Sequence, residues 1–129
     1  MSNQFKGSEF CWNDLATTNV AAAKEFYSKS FGWTFSDHQI GDTTYSMVKC
    51  GDKEIAGIWQ IPQDQESHIP PHWMSYILVD NLLNSIDTVK KHGATIKVPV
   101  TQAGEFGQFA IITDPTGAHV AIWESLRKK

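Results

Sequence analysis

The chain states one pattern twice. Asn19-Val20, at the head of an Ala-rich segment, is echoed 62 positions later by Asn81-Leu82, and Gly57-Ile58-Trp59-Gln60 is echoed 64 positions later by Ala121-Ile122-Trp123-Glu124. The difference between the two offsets fits inside a loop. A period of about 60 residues is too long for a solenoid and points to one domain with pseudo-two-fold symmetry. Either copy alone would leave a curved sheet without a cover, so the copies are expected to need each other.

Each copy has the same internal order. Residues 9–17 alternate and are rich in aromatic side chains, which predicts a strand. Thr18 and Asn19 supply an N-cap for a helix that starts at Val20 and carries Val20, Ala23, Phe26 and Tyr27 on one apolar face. Gly32, within Phe31-Gly32-Trp33, suits a left-handed C-cap. Residues 33–37, 43–49 and 54–60 read as strands, the last two joined by the turn Cys50-Gly51-Asp52-Lys53. In the second copy residues 72–79 form an apolar strand, and Asp80 or Asn81 caps a helix over 82–92 with Leu82, Ile86 and Val89 on one face. Residues 95–98 predict a short strand stopping before Pro99. Residues 107–113 and 118–124 make a hairpin across Asp114-Pro115-Thr116-Gly117. The polar stretch 62–71 links the halves. The expected fold is α+β: one domain of two βαβββ modules, about 8–61 and 72–125, with helices outside a curved mixed sheet.

Composition narrows the partners. With 41% hydrophobic residues, 19% charged residues and a formal charge of −3, the chain is globular and carries no electrostatic footprint for nucleic acid. Its basic cluster is the terminal Arg127-Lys128-Lys129. Residues 1–6 lack the apolar core of a signal peptide, and no apolar run approaches the roughly 20 residues of a membrane helix. Cys11 and Cys50 are therefore expected to be reduced thiols, and the expected compartment is the cytoplasm.

The run Leu15-Ala16-Thr17-Thr18-Asn19, then Ala22-Ala23-Lys24-Glu25-Phe26-Tyr27 and Phe31-Gly32-Trp33, is followed by Val79-Asp80-Asn81-Leu82, His92-Gly93-Ala94 and Thr113-Asp114-Pro115-Thr116-Gly117-Ala118. In this order the chain resembles the glyoxalase/bleomycin resistance protein/extradiol dioxygenase (vicinal oxygen chelate) superfamily, and within it a glyoxalase-like subgroup. The resemblance implies two half-barrels enclosing a cup. It leaves the activity open, since the superfamily holds metal-dependent lyases, isomerases and dioxygenases as well as proteins that sequester drugs.

Metal-binding members carry a His on the first strand of a module and a Glu on the last. The matching positions here are Trp12 and Met74 for the His, and Gly57 and Ala121 for the Glu. None suits a hard or borderline divalent ion. His72 and His119 each lie two residues from such a position, on the same strand face, and are the sole nucleus of a divalent-metal site; otherwise they are polar rim residues. Glu124, three after Ala121, is expected to face the opposite way. No cofactor is expected.

Strand parity turns Phe10, Trp12, Asp14, His72, Met74, Tyr76, Trp59 and Trp123 toward the cup, with Tyr45 and Met47 on the hairpin beside them. Rings with a few polar groups suit an organic-ligand pocket, although the same rings also serve as barrel filling. Asp14, Tyr76 and His72 are the candidates to orient a ligand or act as acid or base. Cys11 alternates toward the helix layer and is expected in the core. Residues 104–107 are expected to form a mobile rim loop. The expected function is binding of a small organic ligand without a catalytic metal. The rivals are a metal-dependent or acid–base glyoxalase-like lyase, isomerase or dioxygenase, and a dimeric, non-catalytic interaction module. The expected partners are a small molecule and a second copy of the chain, without nucleic acid or membrane.

Overall fold

The structure, a computed structural model, describes residues 7–40 and 43–126; the basic tail from Arg127 and the opening six residues lie outside these. The element order is β1 (Gly7–Thr17), α1 (Val20–Phe31), β2 (Thr34–Ile40), β3 (Thr43–Cys50), β4 (Lys53–Gln60), a 3₁₀ turn (Gln63–Gln65), β5 (His72–Val79), α2 (Leu82–Lys91), β6 (Thr95–Ala103), β7 (Gly107–Thr113) and β8 (His119–Ser125). Both βαβββ modules are present. The chain divides into two compact units, one of Trp12–Met74 and one of the residues before Trp12 with those after Met74. Among the described residues no helix is long and apolar enough to cross a membrane.

In the first unit the strands run β2-β3-β4-β1, with β1 parallel to β4 and the other pairs antiparallel. Helix α1 begins where Asn19 Oδ1 accepts the Ala22 N–H at 3.0 Å, satisfying one of the orphan donors of a helix start. It ends at Gly32, whose φ of 75° brings its N–H onto the Ser28 carbonyl. The core on this side is Leu15, Val48, Ala56 and Ile58, covered by Val20, Ala23 and Tyr27 of the helix together with Trp33 and Phe35.

Asp37, on the helix-facing parity of β2, accepts hydrogen bonds from Lys24 Nζ at 2.9 Å and Ser46 Oγ at 2.7 Å. These bonds, Lys24 first, hold its carboxyl below the usual range. A depressed folded-state value stabilises above the unfolded one, and that contribution is lost as pH falls through the folded value. Asp37→Asn is therefore expected to lower the melting temperature at pH 7. Parent and variant should converge below the ordinary Asp titration near pH ~3.9, in a pH series of melts followed by circular dichroism. A gap that persists in acid would assign the effect to packing.

The second unit repeats the topology as β6-β7-β8-β5, with β5 parallel to β8. Asn81 Oδ1 caps α2 through the Asn84 N–H. Glu124 Oε1 accepts the Leu82 N–H at 2.9 Å, placing this carboxylate on the helix side as its parity required. Leu82, Ala110, Ile112 and Ile122 form the core here, with Ile77, Val79, Ile86 and Val89 packed on it. At the β7–β8 turn Asp114 Oδ1 accepts from Thr116 N, Thr116 Oγ1 and Ala118 N, an Asx-type closure.

One element departs from expectation. Strand β6 does not stop before Pro99 but runs through it to Ala103, with register shifts between Ile96 and Val98 and between Val98 and Thr101. β6 lies at the end of the strand order. An edge strand tolerates a residue without an N–H where no ladder bond is needed, and irregular register absorbs the rest.

Candidate functional site

Register builds the site in the first unit. Leu15 packs toward α1, so Trp12, Asp14 and Ala16 of β1 share the opposite face. Across the sheet Asp14 stands beside Gly57 and Ala16 beside Trp59 on β4. On β3 Met47 stands beside Gly57 and Tyr45 beside Trp59. On β2 Ser36 stands beside Met47 and His38 beside Tyr45. Parity thus brings Trp12, Asp14, Tyr45 and Trp59 to one surface, as the alternation predicts.

Three of these residues close into a hydrogen-bonded triangle. Trp12 Nε1–H points at both Asp14 Oδ1, at 2.9 Å, and Tyr45 Oη, at 2.7 Å. Tyr45 Oη–H donates in turn to Asp14 Oδ1 through a short bond. Asp14 is 6% exposed, while Trp12, Tyr45 and Trp59 are only half-buried. A buried carboxylate requires such donors, since stranding it without them costs several kcal/mol. The rings are half-exposed, while the buried carboxyl group that two of them bond is fixed in place.

The Tyr45 side chain leans across β4 to reach β1, and Gly57 is the residue it crosses. A Cβ at Gly57 would collide with the Tyr45 hydroxyl and stand only 2.6 Å from its Cε2. Glycine is required here for close approach of a ring. The sequence marked Gly57 as a position lacking a metal-binding carboxylate. It gave no sign that the vacated space holds a phenol, because that depends on pairing between strands.

A family-type metal does not fit this arrangement. Trp12 offers an N–H donor where a lone pair is needed, and Tyr45 fills the volume at Gly57. Met74 and Ala121 are buried and offer no hard donor. His72 Nδ1 lies 2.7 Å from the Pro70 carbonyl, and His119 Nδ1 lies 2.9 Å from Thr113 Oγ1. Among the described residues, no group of three or more His, Cys, Asp and Glu is gathered as a metal site demands.

In the second unit the corresponding face is a ring cluster. Tyr76 is buried and meets Phe109 and Trp123 edge-on, at centroid distances of 6.1 and 6.3 Å. Phe109 escaped the sequence reading, although it is the registered partner of Trp123. A Cβ at Gly107 would collide with the Glu124 carbonyl oxygen and stand 2.7 Å from Trp123 Cζ2, so glycine here admits the neighbouring strand as well as a ring.

Two expectations are overturned. Cys11 is exposed, not core: α1 packs over Leu15, and sharing the parity of a covered residue does not bring a cover with it. Partial desolvation pushes its thiol up, the opposite of an activated nucleophile. Phe10 is 70% exposed and does not serve as a wall of the site.

The sequence profile of the Glyoxalase/Bleomycin resistance protein/Dioxygenase superfamily matches residues 10–122. The chain belongs to this superfamily. Over 118 residues it is 37% identical to "Putative glyoxylase CFP32" of Mycobacterium tuberculosis, a match covering 90% of this chain and 45% of that protein. Over 129 aligned residues it is 30% identical to "Anthracycline biosynthesis protein DnrV" of Streptomyces peucetius, covering 87% of this chain and 45% of that one. The chain thus spans about half the length of these relatives. Among solved structures, methylmalonyl-CoA epimerase from Mycobacterium tuberculosis superposes with a TM-score of 0.70 at 14% identity, covering 97% of this chain and 93% of that one. At that identity the likeness shows the fold alone.

Proposed function

We propose that this superfamily member binds a small organic ligand against the ring-lined face of its first module, in the cytoplasm and without a catalytic metal. The observation that carries this reading is the Trp12–Asp14–Tyr45 triangle standing at the module's metal-ligand positions, with the phenol over Gly57. Half-exposed rings offer contact area, and fixed polar atoms beneath them offer orientation, the combination that small-molecule sites use. Its relatives in glyoxylase-named and anthracycline-biosynthesis proteins are compatible with organic ligands. Screening a metabolite and antibiotic collection by tryptophan fluorescence and melting temperature tests the reading. A hit should bind Trp12→Ala at least tenfold more weakly, or about 1.4 kcal/mol. Equal affinity in the variant removes the site from Trp12.

A second reading, acid–base catalysis, draws on the Asp14–Tyr45 contact. The pair can hold or move a proton between Tyr45 Oη and Asp14 Oδ1, as proton transfer on a bound ligand requires. Turnover of a hit that is lost in Tyr45→Phe while binding persists supports it.

The homodimer expected from the sequence is proposed separately. Phe26 and Phe31 of α1, 57% and 62% exposed, join Tyr27, Trp33 and the 40% exposed Trp73 in a cluster of edge-on and stacked rings. Light scattering of the parent and of Phe31→Ser checks it: a dimer that dissociates in the variant is the expected result, and a monomeric parent refutes it.

A further inference from the structure

Phe26, Tyr27 and Phe31 of α1 form one ring cluster with Trp33 and Trp73, and Phe26, Phe31 and Trp73 hold 57%, 62% and 40% of their surface in solvent. We infer that this cluster is a docking surface for a second domain of the same fold, supplied by another copy of the chain or by a longer chain that carries two such domains. The rings are those of the homodimer proposed above, on which the choice of surface rests. The kind of partner follows from the internal repeat, the length of the relatives and the charges on α1.

The repeat argues that folding does not require exposed rings at these places. At the offset of 62 that aligns the helix caps, Tyr27 corresponds to Val89, and both pack on the core of their own module. Phe26 corresponds to Thr88, whose hydroxyl bonds the Asn84 carbonyl within its helix. Phe31 corresponds to Gly93, beyond the end of α2. The second module thus has a polar residue and a glycine where the first exposes two phenylalanines. No residue of α1 is buried, whereas Leu82 of α2 is. An apolar helix side that is left open, at positions where the sister module is polar, marks a surface kept for a contact.

Length and charge point to the occupant. The superfamily profile matches residues 10–122, so nearly the whole chain is one unit of this fold. The same unit covers only 45% of the Mycobacterium tuberculosis and Streptomyces peucetius relatives. More than half of each relative lies outside the match, a length that a second domain of this size would fill. The charges of α1 are balanced: Glu25 and Lys29 pair with each other at 2.8 Å, and Lys24 pairs with Asp37 at 2.9 Å. Two such surfaces meet without like-charge repulsion, as a contact of a patch with its own copy requires. Rings then meet rings edge-on or stacked, as they already do within the cluster. A strongly acidic or basic partner finds no complementary field on this helix.

The test uses the full chain and a fusion of two full chains in tandem through a Gly/Ser linker of about 40 residues, which behaves as a flexible coil. Tethering raises the local concentration of the second domain to about the millimolar range. Hydrogen exchange read by mass spectrometry follows the α1 amides in the tandem and in the single chain, diluted until light scattering reports a monomer. The α1 amides are expected to exchange at least tenfold more slowly in the tandem, with those of α2 unchanged. The difference should fall below threefold when Phe26→Ser and Phe31→Ser are placed in both domains. Phe31→Ser alone serves if the double variant fails to fold. Protection in the tandem beside a single chain that is monomeric at every concentration refutes the homodimer and leaves the docking surface standing. A single-chain dimer that persists in the variants, with α1 exchanging as in the monomer, keeps the homodimer and overturns the docking surface. Equal α1 exchange in the tandem and the monomer overturns it too, as does protection that the variants retain. Retention of the single chain on phosphatidylglycerol vesicles, lost in the variants and without protection in the tandem, would give the rings to a lipid surface and likewise overturn it.

Discussion

Gly57→Ala is expected to destabilise the protein by about 1–3 kcal/mol, the usual range for forcing a methyl into a filled space. The added Cβ would meet the hydroxyl and Cε2 of Tyr45. Tyr45 would have to swing off β4, breaking its bond to Asp14 and leaving a buried carboxylate short of a donor. The result is informative because Gly→Ala in a strand otherwise gains about 0.5–1 kcal/mol from reduced backbone freedom. The collision is therefore separable by a double-mutant cycle. In a Tyr45→Ala background the ring is gone, and Gly57→Ala is expected to be neutral or stabilising. Urea melts of the four proteins give the coupling directly. The same penalty in both backgrounds would mean that the phenol does not cross Gly57, and the site described above would lose its floor.

The parts of the fold that rest on local chemistry could be read from the residues. Asn19 and Asn81 cap their helices, and Gly32 adopts the left-handed turn that its place after Phe31 demanded. The parity of β1 correctly set Trp12 and Asp14 on one face, and the parity of β8 set Glu124 on the other. What alternation cannot reveal is whether anything covers a face: Cys11 has the parity of Leu15, yet it is exposed. Nor does it fix long-range register. The Asp14–Tyr45 bond joins residues 31 positions apart, and it exists only because β3 pairs with β4 and β4 with β1. Pro99 misled for a related reason, since its tolerance in β6 depends on which edge of the strand lacks a partner.

The largest stability losses are expected at the helix-side positions of the repeat, not at its tryptophans. Ile58 and Ile122, 0% and 3% exposed, occupy equivalent places in the two modules. Ile58 sits beside Leu15 on the parallel β1, and Ile122 beside Ile77 on the parallel β5. Each lies in the core that covers one face of its sheet with a helix. Ile58→Ala and Ile122→Ala are each expected to cost about 2–5 kcal/mol, from lost transfer energy and the cavity left behind. That is a large part of the roughly 5–15 kcal/mol that holds a domain folded. Ile→Val at either site should cost only about 0.5–1.5 kcal/mol, so urea midpoints should fall in proportion to the volume removed. The neighbours Trp59 and Trp123 point to the other face and are half-buried, and Trp59→Leu should change ligand response more than it changes the urea midpoint. If Ile58→Ala melts with the parent while Trp59→Leu unfolds it, the two faces of the first-module sheet have been assigned the wrong way round. The carboxylate triangle would then be a packing device of the core.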